Sequence, residues 1–257
     1  MIPKIIHYCW FGGKAKPELT EKCIESWKKF CPDYEIVEWN ENNFDINSNL
    51  YVKQAYEAKK YAFVSDYARL HALYTVGGIY LDTDVMLLKS FDECLANEAF
   101  MGFETKQKVA TCVIGSVKCN PLFKDFLDYY TNKLFIDENG NYDVTTNVET
   151  ITRMLFNDGL KGNGAMQVVR GLRIYPRSVF SPDLKRIGNA SYTRNTIAIH
   201  YFSGSWKNEA TKKRESSLWW KVIAVFASFV SKILKKLFGE KWERRKNKIR
   251  DKIIKND

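Results

Sequence analysis

The sequence predicts an α/β fold built on a mostly parallel central sheet. Three observations carry that expectation. Short apolar runs alternate with stretches of helical periodicity through the first third of the chain. The first run, helix and second run have the length of a strand–helix–strand unit, which joins parallel neighbours by a crossover. The 257 residues are 45% apolar and 27% charged, a globular composition large enough for one sizeable core.

The elements follow in order. Ile2 to Phe11 reads as a buried strand closed by the Gly12-Gly13 turn. Pro17 to Phe30 is an amphipathic helix, with Leu19, Cys23, Ile24, Trp27 and Phe30 at helical spacing. Pro32-Asp33 breaks it, and Tyr34 to Trp39 alternates like a second strand. Tyr61 to Thr75 is a second strong helix, stopped by Gly77-Gly78. Ile79-Tyr80-Leu81 is a short apolar strand that ends in Asp82-Thr83-Asp84, and Val85 to Leu88 is again extended. Ala99–Phe103, Val109–Gly115, Gln167–Tyr175 and Thr196–Tyr201 read as later strands. Pro121–Lys133 and Thr146–Phe156 read as helices, and Asn139-Gly140 as a turn.

Charge separates the chain into two parts. Residues 1–206 carry 24 basic and 24 acidic side chains, whereas residues 207–257 carry 16 and 6, so the whole net charge of +10 lies in the tail. A neutral body argues against nucleic acid as a partner. Within the tail, Leu218 to Phe238 has a broad apolar face opposed by Lys221, Lys232, Lys235 and Lys236. Its uninterrupted apolar stretch falls short of the roughly 20 residues that a membrane span needs. The tail is therefore expected to lie on an anionic membrane surface, with a domain over 1–213 and a basic amphipathic segment over 214–257.

The six cysteines, Cys9, Cys23, Cys31, Cys94, Cys112 and Cys119, form no C-x-x-C pair and no zinc-ligand spacing. No basic and apolar leader opens the sequence, so reduced thiols and a cytoplasmic location, peripheral on the inner membrane face, are expected.

Asp82-Thr83-Asp84 is the chemical centre of the sequence. In open α/β sheets, ligands bind at the carboxyl ends of strands. Two carboxylates one residue apart on a turn can converge on one hard cation. Such a cation stabilises a diphosphate leaving group. An isolated Asp-x-Asp is equally a solvated turn, and its context decides. The run from Ser65 through Asp66, Arg69 and Gly77-Gly78 to Asp84 closely resembles the core signature of glycosyltransferase family thirty-two, whose sugar-binding region contains a DXD motif. The likeness runs through residues 1–88 and returns at His200–Trp206.

The resemblance implies a GT-A-type, Rossmann-like domain. It implies sugar transfer with retention from a nucleotide diphosphate donor, UDP-sugar favoured, to a hydroxyl of a surface polysaccharide or lipid-linked glycan, with Mn2+ or Mg2+ as cofactor. It casts Asp84 as direct metal ligand and Asp82 as its partner on metal-bound water or the donor ribose. Asp66 and Arg69 become donor-sugar contacts, on one helix face at i, i+3, or else a local surface ion pair. Trp10 is a base-stacking aromatic or a core tryptophan, and Tyr80 lines the nucleotide pocket or packs. Asn147 reaches the donor sugar or caps a helix. Trp206 covers the diphosphate. His200 is a metal ligand or a core histidine, with Ser203 and Ser205 as other candidates for the late ligand.

Three rivals make different demands. An Asp-dependent phosphatase also opens on Asp-x-Asp, but Met86 stands where Thr or Val would be expected and no later Gly-Asp-x-x-x-Asp follows. A nucleotidyltransferase would need a Gly-rich triphosphate loop. A non-catalytic membrane-associated scaffold would bind no nucleotide.

Overall fold

The computed structural model describes residues 1–182 and 193–203. Trp206, Ser205, the boundary at 213 and the Leu218–Phe238 segment lie outside the described residues.

In chain order the elements are β1 (Ile5–Cys9), α1 (Glu18–Phe30), β2 (Glu35–Trp39), α2 (Leu50–Glu57), α3 (Tyr61–Thr75), β3 (Gly78–Leu81), β4 (Val85–Leu87), β5 (Ala99–Thr105) and β6 (Lys108–Ser116). There follow α4 (Pro121–Asp128), α5 (Asn147–Asn157), β7 (Gln167–Val169), β8 (Leu172–Tyr175), α6 (Arg177–Phe180) and β9 (Ala198–His200). Seven strands form the central sheet in the order β2-β1-β3-β6-β5-β8-β7, and β4 pairs with β9 in a small antiparallel ribbon. β1 runs parallel to β2 and β3, and β5 parallel to β8, whereas β6 and β7 run against their neighbours. The mixed α/β class with a mostly parallel central sheet is therefore as expected.

Local sequence accounts for most of this frame. β1 is an interior strand, and its alternate side chains face two cores: Ile6 and Tyr8 enter the one around Trp27 and Phe100, Cys9 the one around Leu70 and Ile114. α1 turns Thr20, Cys23 and Trp27 inward. The Trp27 indole donates to the Val85 carbonyl at 2.7 Å and Ser26 Oγ accepts from Leu87 N–H at 3.0 Å, which fixes the segment just after Asp84. α3 ends where Gly77 takes φ +78° and Gly78 φ +110°. A Cβ on Gly78 would stand 2.7 Å from the Ile5 carbonyl oxygen, so only glycine lets β3 start beside β1.

The two early histidines are structural. His7 is fully buried, with Nε2 on the Gly77 carbonyl at 2.7 Å and Nδ1 accepting from the Trp39 indole at 3.1 Å. These contacts demand the neutral ring, and burial lowers its pKa. His71 packs among Trp39, Phe44 and Tyr67.

Four details differ from the sequence reading. α2 appears where no element is expected; Asn49 caps it, accepting from Tyr51 and Val52 N–H. The single strand expected over 167–175 is a hairpin, because Arg170 and Gly171 adopt positive φ of 47° and 80°. The helix expected to reach Lys133 stops as α4 at Asp128. Thr146, not Asn147, caps α5, its side chain accepting from Glu149 N–H. Five of the six cysteines are buried and all are free; Cys119 is exposed. Among the described residues, no helix is long and apolar enough to cross a membrane.

Candidate metal and donor site

The site forms where β3 ends. Asp82 N–H continues the sheet ladder to the Cys112 carbonyl at 2.9 Å, and Val85 N–H closes the turn on the Asp82 carbonyl at 3.0 Å. Both carboxylates thereby leave the sheet at its carboxyl edge. β4 then pairs with β9, setting Val85 opposite His200. This brings the late histidine beside Asp84: His200 Nε2 lies 3.2 Å from Asp84 Oδ1.

Ligand atoms of Asp82, Asp84 and His200 all lie within 4.8 Å of one another. Neighbouring ligands of an octahedral cation, each about 2.1 Å from it, stand about 3 Å apart, close to the Asp84–His200 separation. Two carboxylate oxygens and one imidazole nitrogen suit manganese and accept magnesium. The three side chains thus fit a divalent cation. Burial raises the Asp84 pKa, but His200 and Ser203 outweigh it and pull the pKa down to about 2. Burial lowers that of His200, whereas Cys112 and Asp84 lift it to about 11. A cation bound here displaces that proton.

Asp84 is held at two points by the chain that follows β9. Its carbonyl accepts from Tyr201 N–H at 3.1 Å, and its Oδ2 accepts from Ser203 N–H at 2.8 Å. Ser203 reaches Asp84 through this backbone bond only because Phe202 takes φ +52°. A left-handed residue with a Cβ costs roughly 1–2 kcal/mol, so this turn is strained at the point where it meets the carboxylate.

Behind the metal face sits Arg69, buried at 6% exposure. Its Nε donates to the Ser65 carbonyl at 3.1 Å and its Nη1 to the Thr111 carbonyl at 2.9 Å. Nη1 also lies 3.4 Å from Asp82 Oδ1, and Nη2 3.1 Å from Asp66 Oδ1. The guanidinium covers the Tyr80 ring at 4.6 Å, and Tyr80 Oη donates to Asp82 Oδ1 at 3.0 Å. Asp66 and Arg69 are thus a buried pair, and the surface ion pair is excluded. Burial opposes the Arg69 charge, but Tyr80, Asp82 and Asp66 hold its pKa above the ordinary value. Tyr80 is itself buried and orients Asp82 while it packs.

Asn147 is 1% exposed and faces Asp66. Its backbone N–H donates to Asp66 Oδ2 at 3.1 Å and its Nδ2 to the Asp66 carbonyl at 2.6 Å, while its Oδ1 accepts from Tyr130 at 2.6 Å. Its side chain is spent on α3 and Tyr130, and the cap reading fails because Thr146 holds that place. Trp10 leaves β1 half-buried, its indole donating to the Lys14 carbonyl at 2.7 Å and Lys16 Nζ 5.8 Å from its ring. Cys112, Tyr130 and Phe202 were given no role from the sequence: Cys112 and Tyr130 sit in no motif, Phe202 lies unremarked within His200–Trp206, and only the pairing of distant segments brings them in.

Asp66 carries the first testable consequence. Burial lifts its pKa to about 6, against the pull of Arg69 and the Asn147 N–H. The folded protein therefore binds this proton more tightly than the unfolded chain. The resulting stabilisation is full below the ordinary carboxylate pKa of about 3.9 and is lost as pH rises through about 6. The ionised form is the one that pairs with Arg69. Turnover is expected to fall below pH 6, and Asp66→Asn to remove that limb of the pH–rate profile.

Residues 17–101 match the family described as glycosyltransferase sugar-binding region containing DXD motif. An uncharacterized glycosyltransferase of Acanthamoeba polyphaga mimivirus is 30% identical over 173 residues, 62% of this chain and 65% of that protein. Inositol phosphoceramide mannosyltransferase 3 of Schizosaccharomyces pombe is 31% identical over 127 residues, 47% of this chain and 35% of that protein. Among solved structures, galactosyltransferase LgtC in complex with donor and acceptor sugar analogs aligns over 80% of this chain and 91% of its own, at 13% identity and TM-score 0.41. The chain thus spans less than two thirds of the length of these two relatives. Within the matched residues 17–101, Asp82-Thr83-Asp84 supplies the Asp-x-Asp triplet that the family description names. The match takes in Asp66, Arg69 and Tyr80 as well.

Proposed function

We propose that the chain is a metal-dependent, retaining glycosyltransferase that moves a sugar from a nucleotide diphosphate donor to a hydroxyl of a surface polysaccharide or lipid-linked glycan. The convergence of Asp82 and Asp84, inside the matched region, with His200 from far beyond it carries this reading. Asp84, Asp82 and His200 would hold Mn2+ or Mg2+, which when bound neutralises charge on the departing diphosphate. Arg69 fixes the direction of Asp82 and Asp66, so the carboxylates stand preorganised before the donor arrives. Asp66 faces donor hydroxyls with the small part of its carboxylate left open. Trp10 offers a half-exposed ring for the base, UDP-sugar favoured. The resemblance at His200–Trp206 gives Trp206 the role of covering the diphosphate, with Ser203 and Ser205 as other candidates for the late ligand.

The comparisons favour neither the phosphatase nor the scaffold. A panel of nucleotide sugars incubated with Mn2+ and assayed for released nucleoside diphosphate tests the reading. Cleavage of at least one donor is expected. Phosphate release from generic esters, with no donor cleaved, would point to the phosphatase instead.

The second part of the proposal concerns residues 214–257, read as an interfacial segment. Their support is the charge count and the apolar face of Leu218–Phe238. A cytoplasmic, peripheral position at the inner membrane face would bring the site to a lipid-linked acceptor. Truncation after Lys213 is expected to abolish co-sedimentation with anionic vesicles and to spare donor hydrolysis. A truncated protein that unfolds instead assigns the segment to the core.

A further inference from the structure

A metal-binding histidine is ordinarily aimed by its second ring nitrogen, which donates to a carboxylate, carbonyl or water. Among the described residues, none gives His200 a carboxylate, carbonyl or water for this purpose. Its Nδ1 is buried and meets no hydrogen-bond partner among the described residues. The Cys112 thiol interacts with the ring and raises its pKa, but a thiol is a weak hydrogen-bond partner. What the imidazole does meet is Phe202, with ring centroids 4.0 Å apart and planes at 38°. Phe202 is an odd choice for that position. It is 45% exposed, so core burial does not explain it, and its φ of +52° suits glycine or asparagine better.

We propose that Phe202 is the positioning residue of the metal site: its ring, held against the imidazole by the left-handed turn, aims His200 Nε2 in place of a strong hydrogen bond to the second ring nitrogen. The turn performs two tasks at once. It returns Ser203 N–H to Asp84 Oδ2, and it lays the aromatic ring on the neighbouring ligand. Glycine would make the turn at lower strain but would leave the imidazole free to rotate. This inference rests on the reading of Asp82, Asp84 and His200 as metal ligands.

The test separates the two. Mn2+ binding is measured by titration calorimetry and by the loss of the free-ion paramagnetic resonance signal, on the full chain. Wild type should bind one ion and Asp84→Asn should lose it; if either fails, the metal reading itself is wrong. Phe202→Gly should raise the Kd for Mn2+ about tenfold, the lower end of what loss of an orienting partner costs. Its melting temperature should stay within about 3 °C, because relief of the turn offsets the lost ring. Phe202→Tyr, which keeps the ring, should bind within twofold of wild type. A further readout needs no metal: the His200 ring protons should move downfield in Phe202→Gly as the aromatic ring current disappears. Unchanged affinity in Phe202→Gly, or an equal loss in Phe202→Tyr, would overturn the proposal while leaving the metal site standing.

Discussion

Asp84→Asn is expected to lower donor turnover by at least about a hundredfold, the scale of losing one main electrostatic stabiliser. The substitution keeps the volume and one acceptor. The amide oxygen can still receive Ser203 N–H, which bonds Asp84 Oδ2 at 2.8 Å, and the amide nitrogen can face His200. The fold therefore survives, and a buried charge disappears. What is lost is the anionic oxygen that the cation requires. Because the Asp84 pKa is pulled down to about 2, this carboxylate is ionised throughout the working pH range. Its stabilising contribution is present above the unfolded value of about 3.9 and lost only as pH falls through about 2. Steady-state rates with excess Mn2+, alongside a thermal melt, check both halves. A variant within tenfold of wild type would remove Asp84 from the centre of the chemistry.

Arg69→Met should produce the largest loss of stability. The guanidinium bonds two carbonyls on different elements, Ser65 and Thr111, and faces two carboxylates, Asp66 and Asp82. Methionine fills similar space and leaves the buried Asp66 without its countercharge. Breaking a buried pair from one side costs about 3–5 kcal/mol, which for a domain of this size lowers the melting temperature by roughly 10 °C. Arg69→Lys should recover little of it, since a single ammonium cannot reproduce four directions of a planar fork. Urea unfolding of the three proteins decides the matter. Stability within about 1 kcal/mol of wild type in Arg69→Met would show that the pair is solvated and dispensable.

Much of this was legible in the sequence, and the reasons are local. Gly77-Gly78 marks the end of α3 because only glycine tolerates φ +78° and +110° there, and the apolar run behind it must then be a strand. The alternation of Ile6 and Tyr8 against Cys9 reads directly as a strand with a core on each side. Other features depend on contacts between distant segments. The reversal of β6 is set by its pairing with β3 and β5, and nothing in Lys108–Ser116 announces a direction. Asp66 and Asn147 meet across 81 residues. The i, i+3 spacing of Asp66 and Arg69 placed them on one face of α3 but gave no depth. That helix buries Phe63, Val64, Ala68, Leu70, Ala72 and Leu73 around its circumference, so the face that looked like surface is interior. The α2 helix carried a readable signal in Asn49, whose cap bonds begin it.

Donor cleavage is expected to need a cation held by Asp82, Asp84 and His200. The most direct measurement of this requirement is a chelator reversal on the full chain. A nucleotide sugar that the protein cleaves is followed for nucleoside diphosphate release, first with Mn2+, then with EDTA in excess, then with Mn2+ restored. Release should stop on chelation, return on restoration, and answer to manganese before calcium. Full activity in excess EDTA would contradict the requirement.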